Sequence, residues 1–165
     1  MDYVYVGKIV NTHGIKGELR LLSDFDKKDR VFKKGFTIYI GEGYIKEVID
    51  NYRKHKMFDM VTLVGYDNIN QVLKFKGLNV YVNREDLDLK QEDYLLSDLI
   101  GLTIKEDGET LGKVKEIVYN GSSTLLEIEG TKHFYIPNNP EFIKEVNLEE
   151  KEIECKNAKG LMLWK

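Results

Sequence analysis

Three histidines, one cysteine and a glycine-flanked lysine are where chemistry would first be sought in this chain. His13, His55 and His133 lie far apart, and none stands four residues from another metal ligand on a helical stretch, so the spacing of a zinc hydrolase is missing. Gly14-Ile15-Lys16-Gly17 is a fragment of a phosphate loop without the Gly-Lys-Ser/Thr ending. The residues after it alternate like a strand, so no helix N-terminus would face a phosphate. No Gly-x-Ser-x-Gly elbow offers a serine nucleophile. Carboxylate clusters such as Glu149-Glu150 read as solvated surface. Cys155 is alone, so it can form neither an internal disulfide nor a cysteine-rich metal site, and in Glu152-Ile153-Glu154-Cys155 it reads as a packed small residue. The expectation is a protein with no catalytic residue, no metal and no cofactor.

Binding has more support. Asn11-Thr12-His13-Gly14-Ile15-Lys16-Gly17-Glu18 joins two strand-like segments, and its glycines allow sharp turns at positive φ. His13, Lys16 and Glu18 would then stand on a loop tip, unless the loop is an ordinary barrel connection. Lys16 and Arg20 lie on or beside it, Lys27, Lys28, Arg30, Lys33 and Lys34 cluster in the next connection, and Arg53, Lys54 and Lys56 crown a hairpin. Such charges attract phosphate, although Asp24, Asp26 and Asp29 partly cancel the second cluster, so an RNA contact would be auxiliary and shape-reading. A different signal comes later. Tyr94-Leu95-Leu96 is an apolar triplet beside a densely charged stretch, either an interface anchor or the start of a core.

The elements that would position these residues are mostly strands. Residues 3–11 are rich in β-branched and aromatic side chains, with Gly7 marking a bulge or a close backbone approach. Residues 18–23, 36–40, 44–51, 57–64 and 78–82 read as further strands, the middle pair flanking the basic tip at 53–56. Residues 24–30 suit a short turn or helix. One helix is expected after Asn68 as cap, with Ile69, Val72 and Leu73 on one face and Gly77 closing it. Six strands and a helix are economically solved by a small closed barrel, because closure removes exposed edges. Residues 83–93 are too charged to build core and read as a linker. A second all-β pattern follows, with a hairpin at 106–109, a long strand at 111–119 carrying Gly112, Val114, Glu116 and Val118 on one face, a turn at 120–123, strands at 124–129 and 133–136, and a closing hairpin over 143–155. The predicted fold is therefore all-β, two small six-stranded barrels with one short helix in the first: residues 1–82, a linker 83–93, and residues 94–165.

Bulk properties fit this division. The chain has 165 residues, 42% hydrophobic and 32% charged, enough for two small cores and a solvated surface. No apolar run is long enough for a transmembrane helix, and Met1-Asp2-Tyr3-Val4-Tyr5 shows no secretory pattern, so a cytoplasmic monomer is expected. Residues 1–82 carry 14 Lys and Arg against 10 Asp and Glu, a net +4, whereas residues 83–165 carry 11 against 18, a net −7. Halves of opposite sign suit different partners, nucleic acid for the first and a basic protein for the second.

Val6-Gly7-Lys8-Ile9-Val10-Asn11-Thr12-His13-Gly14-Ile15-Lys16-Gly17-Glu18-Leu19-Arg20, followed by Asp24-Phe25, Arg30 and Phe32, resembles the N-terminal signature of the RimM family. Asp98-Leu99-Ile100-Gly101, Leu111-Gly112-Lys113-Val114, Ile136-Pro137, Pro140-Glu141-Phe142-Ile143-Lys144-Glu145-Val146 and Gly160-Leu161 resemble its PRC-barrel domain. The resemblance implies a non-enzymatic ribosome assembly factor that binds the head of the free small subunit through the ribosomal protein nineteenth in the small-subunit series. It also implies help with 16S rRNA processing and folding. In that family an aromatic pair precedes the Asp-Leu-x-Gly; here the pair is Tyr94 and Leu95, so Tyr94, Leu95, Leu96 and Asp98 are the expected ribosomal-protein contacts. His13, Lys16, Arg20, Arg53 and Lys54 are the expected rRNA contacts. The alternative is a stand-alone RNA-binding module acting through the basic first barrel.

Overall fold

The computed structural model describes residues 1–90, 93–121 and 123–163. The chain divides into two compact units, Met1–Asp93 and Tyr94–Lys165. No described helix is long and apolar enough to cross a membrane.

The first unit is a closed barrel. Its strands are β1 (Tyr3–His13), β2 (Glu18–Leu22), β3 (Thr37–Ile40), β4 (Ile45–His55), β5 (Phe58–Leu63) and β6 (Asn79–Asn83), in the order β1-β2-β5-β4-β3-β6. Alternation places Ile38 and Ile40, Leu19 and Leu21, and Val80 and Val82 in the buried set with Ile9, Ile49 and Met60. β1 serves two neighbours and bends to do so, with register shifts between Tyr5 and Gly7 and between Ile9 and Asn11. Gly7 sits at the first bend, where a Cβ would lie 2.8 Å from the Leu22 carbonyl oxygen. Close backbone approach is therefore the reason for glycine in an otherwise β-branched strand.

Two short helices decorate the barrel, α1 (Lys28–Val31) and α2 (Ile69–Val72). Asn68 caps α2: its side chain accepts from the Gln71 N–H, and the Gln71 side chain accepts from the Asn68 N–H, a reciprocal capping box. After Val72 the chain tightens into a 3-10 turn, Leu73–Phe75, before Gly77 at φ +85°. Val72 and Phe75, three residues apart, form the buried face, and Leu73 is exposed rather than sharing it. β4 is also longer than its residue types suggest. A register shift between Ile49 and Asn51 lets it run on through Arg53, and the turn is confined to Lys56 and Met57.

The charged stretch that follows is docked rather than free along most of its length. Arg84–Leu87 form a 3-10 turn with Leu87 buried, and the Arg84 N–H donates to the Asp2 carbonyl. The Arg30 guanidinium donates to the Leu87 and Asp88 carbonyls and pairs with Asp93 at 3.3 Å. Gln91 and Glu92 lie outside the described residues.

The second unit is a six-stranded sheet of β7 (Thr103–Glu106), β8 (Glu109–Asn120), β9 (Ser123–Glu129), β10 (His133–Pro137), β11 (Ile143–Asn147) and β12 (Glu152–Cys155), in the order β10-β9-β8-β7-β12-β11. The strands share one apolar core that includes Ile104, Val114, Leu126, Ile128, Phe134, Ile136 and Ile153, with Ile143 and Val146 packed against it. Asp107 and Gly108 both take positive φ in the β7–β8 hairpin, the twist that a two-residue turn requires. β7 and β12 pair in parallel. The strict alternation expected for β8 does not hold. A register shift between Val114 and Glu116 exchanges the faces, so Ile117 joins the core side and Glu116 is exposed. In the turn at 120–123, Ser122 lies outside the described residues.

Candidate functional site

The opening loop and the β4–β5 hairpin meet at one end of the first barrel. Gly14 and Gly17 take φ of +79° and +89°, and the Ile15 carbonyl accepts from the Ile69 N–H at 2.9 Å, so the loop is tied to the start of α2. At Gly17 a Cβ would lie 3.0 Å from the Asn68 carbonyl oxygen. The His13 and His55 rings come within 5.7 Å of each other. Arg20 donates to His13 Nδ1 at 2.7 Å and lies 5.0 Å from the Phe58 ring centroid, a cation–π contact. Arg53 grips Glu18 with two bonds, Nε to Oε2 at 2.8 Å and Nη2 to Oε1 at 2.7 Å. That grip holds the Glu18 carboxyl below its ordinary pKa. Burial, and then the charges of Arg53 and Lys56, push the His55 imidazole below its ordinary value.

These five candidates for RNA contact are therefore in one region, but most of their charge is engaged within the protein. Lys54 lies 3.5 Å from Asp59, which also accepts from Lys28 at 2.8 Å and from the Tyr52 hydroxyl at 2.6 Å. Asp59 is fully buried, and its three partners answer the cost of burying a carboxylate. Burial and this bond push the Tyr52 phenol well above its ordinary pKa. Lys16 is exposed and, among the described residues, in no ion pair. Ile15 beside it and Met57 on the facing hairpin are exposed as well. The sequence signals the cations but not their partners, since Glu18 and Asp59 stand 35 and 5 residues from the charges they bind.

The second candidate surface opens the second unit. The Asp98 carboxylate accepts from the Leu95 N–H at 2.8 Å, and the Asp98 N–H donates to the Leu95 carbonyl at 2.9 Å, closing a tight turn over Leu96–Leu99. This turn fixes the direction of three neighbouring side chains. Leu95 is 0% exposed and presents nothing to a partner. Tyr94 and Leu96 are half-buried, packed on the core of their unit with the rest of each side chain at the surface. Of the four residues expected to touch a ribosomal protein, Tyr94 and Leu96 keep part of their side chains at the surface, Leu95 does not, and Asp98 holds the turn.

Nothing among the described residues groups three or more His, Cys, Asp or Glu so as to hold a metal ion. Cys155 is buried and its thiol is pushed up to about 12 by burial, so it is held as the unreactive thiol.

Comparison with known families decides the identity. The RimM N-terminal domain matches residues 4–87 and the RimM PRC barrel domain matches residues 96–161. This chain belongs to the RimM family. A ribosome maturation factor RimM from Exiguobacterium sp. is 36% identical, with 98% of each chain covered. One from Staphylococcus aureus is 37% identical over 96% of this chain and 98% of the relative. The solution structure of the N-terminal domain of RimM from Thermus thermophilus overlaps 54% of this chain and 98% of its own, at 22% identity and a TM-score of 0.47. RimM family members are ribosome maturation factors, and a role in ribosome assembly goes with membership.

Proposed function

We propose that this RimM chain is a non-enzymatic factor that binds the head of the immature small subunit through a ribosomal protein, the nineteenth of its series, and assists 16S rRNA processing in the cytoplasm. The observation that supports the reading is the half-buried Tyr94 and Leu96 beside a turn fixed by Asp98, at the start of a unit that carries 13 Asp and Glu against 9 Lys and Arg. An aromatic and an aliphatic side chain seated on a rigid base suit the centre of a protein interface, and the acidic surround suits a basic ribosomal protein. The protein acts as a monomer and without catalysis. The basic tip of the first barrel supplies a weaker contact to rRNA, because Arg53 and Lys54 already face Glu18 and Asp59.

The test is binding of the full chain to isolated immature small subunits. Tyr94→Ala combined with Leu96→Ala weakens it by about 1–3 kcal/mol while the thermal transition of the protein is kept. Undiminished binding by a folded double variant would remove this surface from the contact.

A further inference from the structure

The first barrel carries five tyrosines in mutual contact, Tyr3, Tyr5, Tyr39, Tyr44 and Tyr81. Tyr5 pairs across the ladder with Tyr81, and Tyr81 with Tyr39, so one row crosses β1, β6 and β3 and reaches Lys46 on β4. Tyr3 stacks on Tyr44 at 3.9 Å with the planes 4° apart, and Tyr44 meets Tyr81 edge-on at 5.1 Å. Tyr5 and Tyr44 remain 53% and 39% exposed. Tyr44 takes φ +49°, a conformation that bulky side chains adopt only at a cost and that glycine or asparagine would adopt freely. Beside it lies a cleft of about 320 Å³ lined by Tyr81, Glu42, Asn79, Leu78 and the glycines 41 and 77, at the small end of the range of ligand sites. Lys8 stands opposite Asn79 in the ladder, and Lys8, Lys46 and Lys76 are exposed with no ion pair among the described residues.

We infer that this face binds unpaired RNA, with bases stacked on Tyr5 and Tyr44 and one base bearing an exocyclic amino group seated in the cleft. Exposed aromatic rings on ladders that also carry the exposed Lys8 and Lys46 are what single-stranded nucleic acid requires: every base offers a π-face, and every phosphate a charge for a lysine. Protein partners are less well served, because Lys8 and Lys46, in no ion pair among the described residues, would have to be desolvated or matched. In the cleft the Glu42 carboxylate can only accept, so it selects an amino group, and the Asn79 amide complements it, which favours adenine or cytosine over uracil. The inference takes only the source of the RNA from the ribosome-maturation reading, and it rests on residues of the first unit, not on Tyr94.

The experiment measures fluorescence anisotropy of the full chain with unstructured RNA oligomers of about 12 nucleotides, one of mixed adenine and cytosine and one of uracil alone. Tyr44→Asn, which keeps the backbone conformation and removes the ring, weakens binding of the first by at least about fivefold, and Tyr44→Phe leaves it unchanged. The mixed oligomer binds more tightly than the uracil oligomer, and Glu42→Gln erases the difference. Equal binding by wild type and a folded Tyr44→Asn variant overturns the stacking surface, as does equal competition by a duplex of the same length; equal affinity for the two oligomers overturns the cleft. Small-subunit binding measured with the same variants keeps this result distinct from the role of Tyr94.

Discussion

Arg53 and Glu18 face each other across the tip of the first barrel in a two-bonded pair, so the hairpin and the opening loop hold one another rather than both awaiting a ligand. The pair makes Arg53 a poor phosphate contact while Glu18 is ionised. Glu18→Gln frees the guanidinium, and RNA binding should gain about one unit in its logarithmic salt slope. An unchanged slope in a salt titration would show that Arg53 is too remote from the RNA to matter.

The same pair makes a pH prediction. The Arg53 bond, its largest cause, lowers the folded pKa of Glu18 below the ordinary 4.5, so Glu18 stabilises the fold above that value, and this contribution is lost as pH falls through the folded pKa. Wild type and Glu18→Gln should therefore differ in urea midpoint at neutral pH and converge in the acid range well below 4.5. A difference that persists unchanged into acid would mean that the carboxylate charge is not what links the two elements.

Asp59 offers a sharper stability test. Its side chain is fully buried and receives the Tyr52 hydroxyl and the Lys28 ammonium, with Lys54 more distant and half exposed. Asp59→Ala should cost about 1–3 kcal/mol, most of it from the bonds of Tyr52 and Lys28 and little from Lys54. Equilibrium urea denaturation reads this directly, and a neutral substitution would contradict the role given to the cluster.

At the start of the second unit, neighbouring residues should fail in different ways. Leu95→Ala truncates a fully buried side chain and should cost about 2–5 kcal/mol of stability. Tyr94→Ala removes a half-exposed ring and should act mainly on subunit binding. Thermal melts and subunit binding of the two single variants separate these effects, and the reverse pattern would exchange the roles assigned here.

Gly112 is the corresponding backbone prediction. Its φ is +151°, and a Cβ would lie 2.7 Å from the Glu129 carbonyl oxygen. Gly112→Ala should lower stability by about 1–3 kcal/mol, and an unaffected thermal transition would show that the sheet yields there at no cost.

How far the sequence carries follows from the range of each interaction. Local chemistry was legible: Gly7 marks a real close approach, Asn68 does cap a helix, and Asp107-Gly108 makes the two-residue turn. The two-unit all-β architecture followed from strand patterns and from the family resemblance. Bulges were not legible, because a register shift such as that between Val114 and Glu116 depends on the partner strand, and it moved Ile117 rather than Val118 to the core side. The parallel pairing of β7 with β12 was invisible for the same reason. At the candidate sites, the apolar triplet Tyr94-Leu95-Leu96 could be singled out by residue type, but not which of its side chains reach the surface. The burial of Leu95 depends on the direction a turn imposes, and the pairing of Arg53 on a carboxylate 35 residues away.

Co-sedimentation of the full chain with separated ribosomal fractions tests the central claim most directly. The chain should travel with free immature small subunits, be absent from mature ribosomes, and lose its place on the subunits when Tyr94 and Leu96 are both replaced by alanine. Equal association with mature ribosomes, or none with free small subunits, would contradict it.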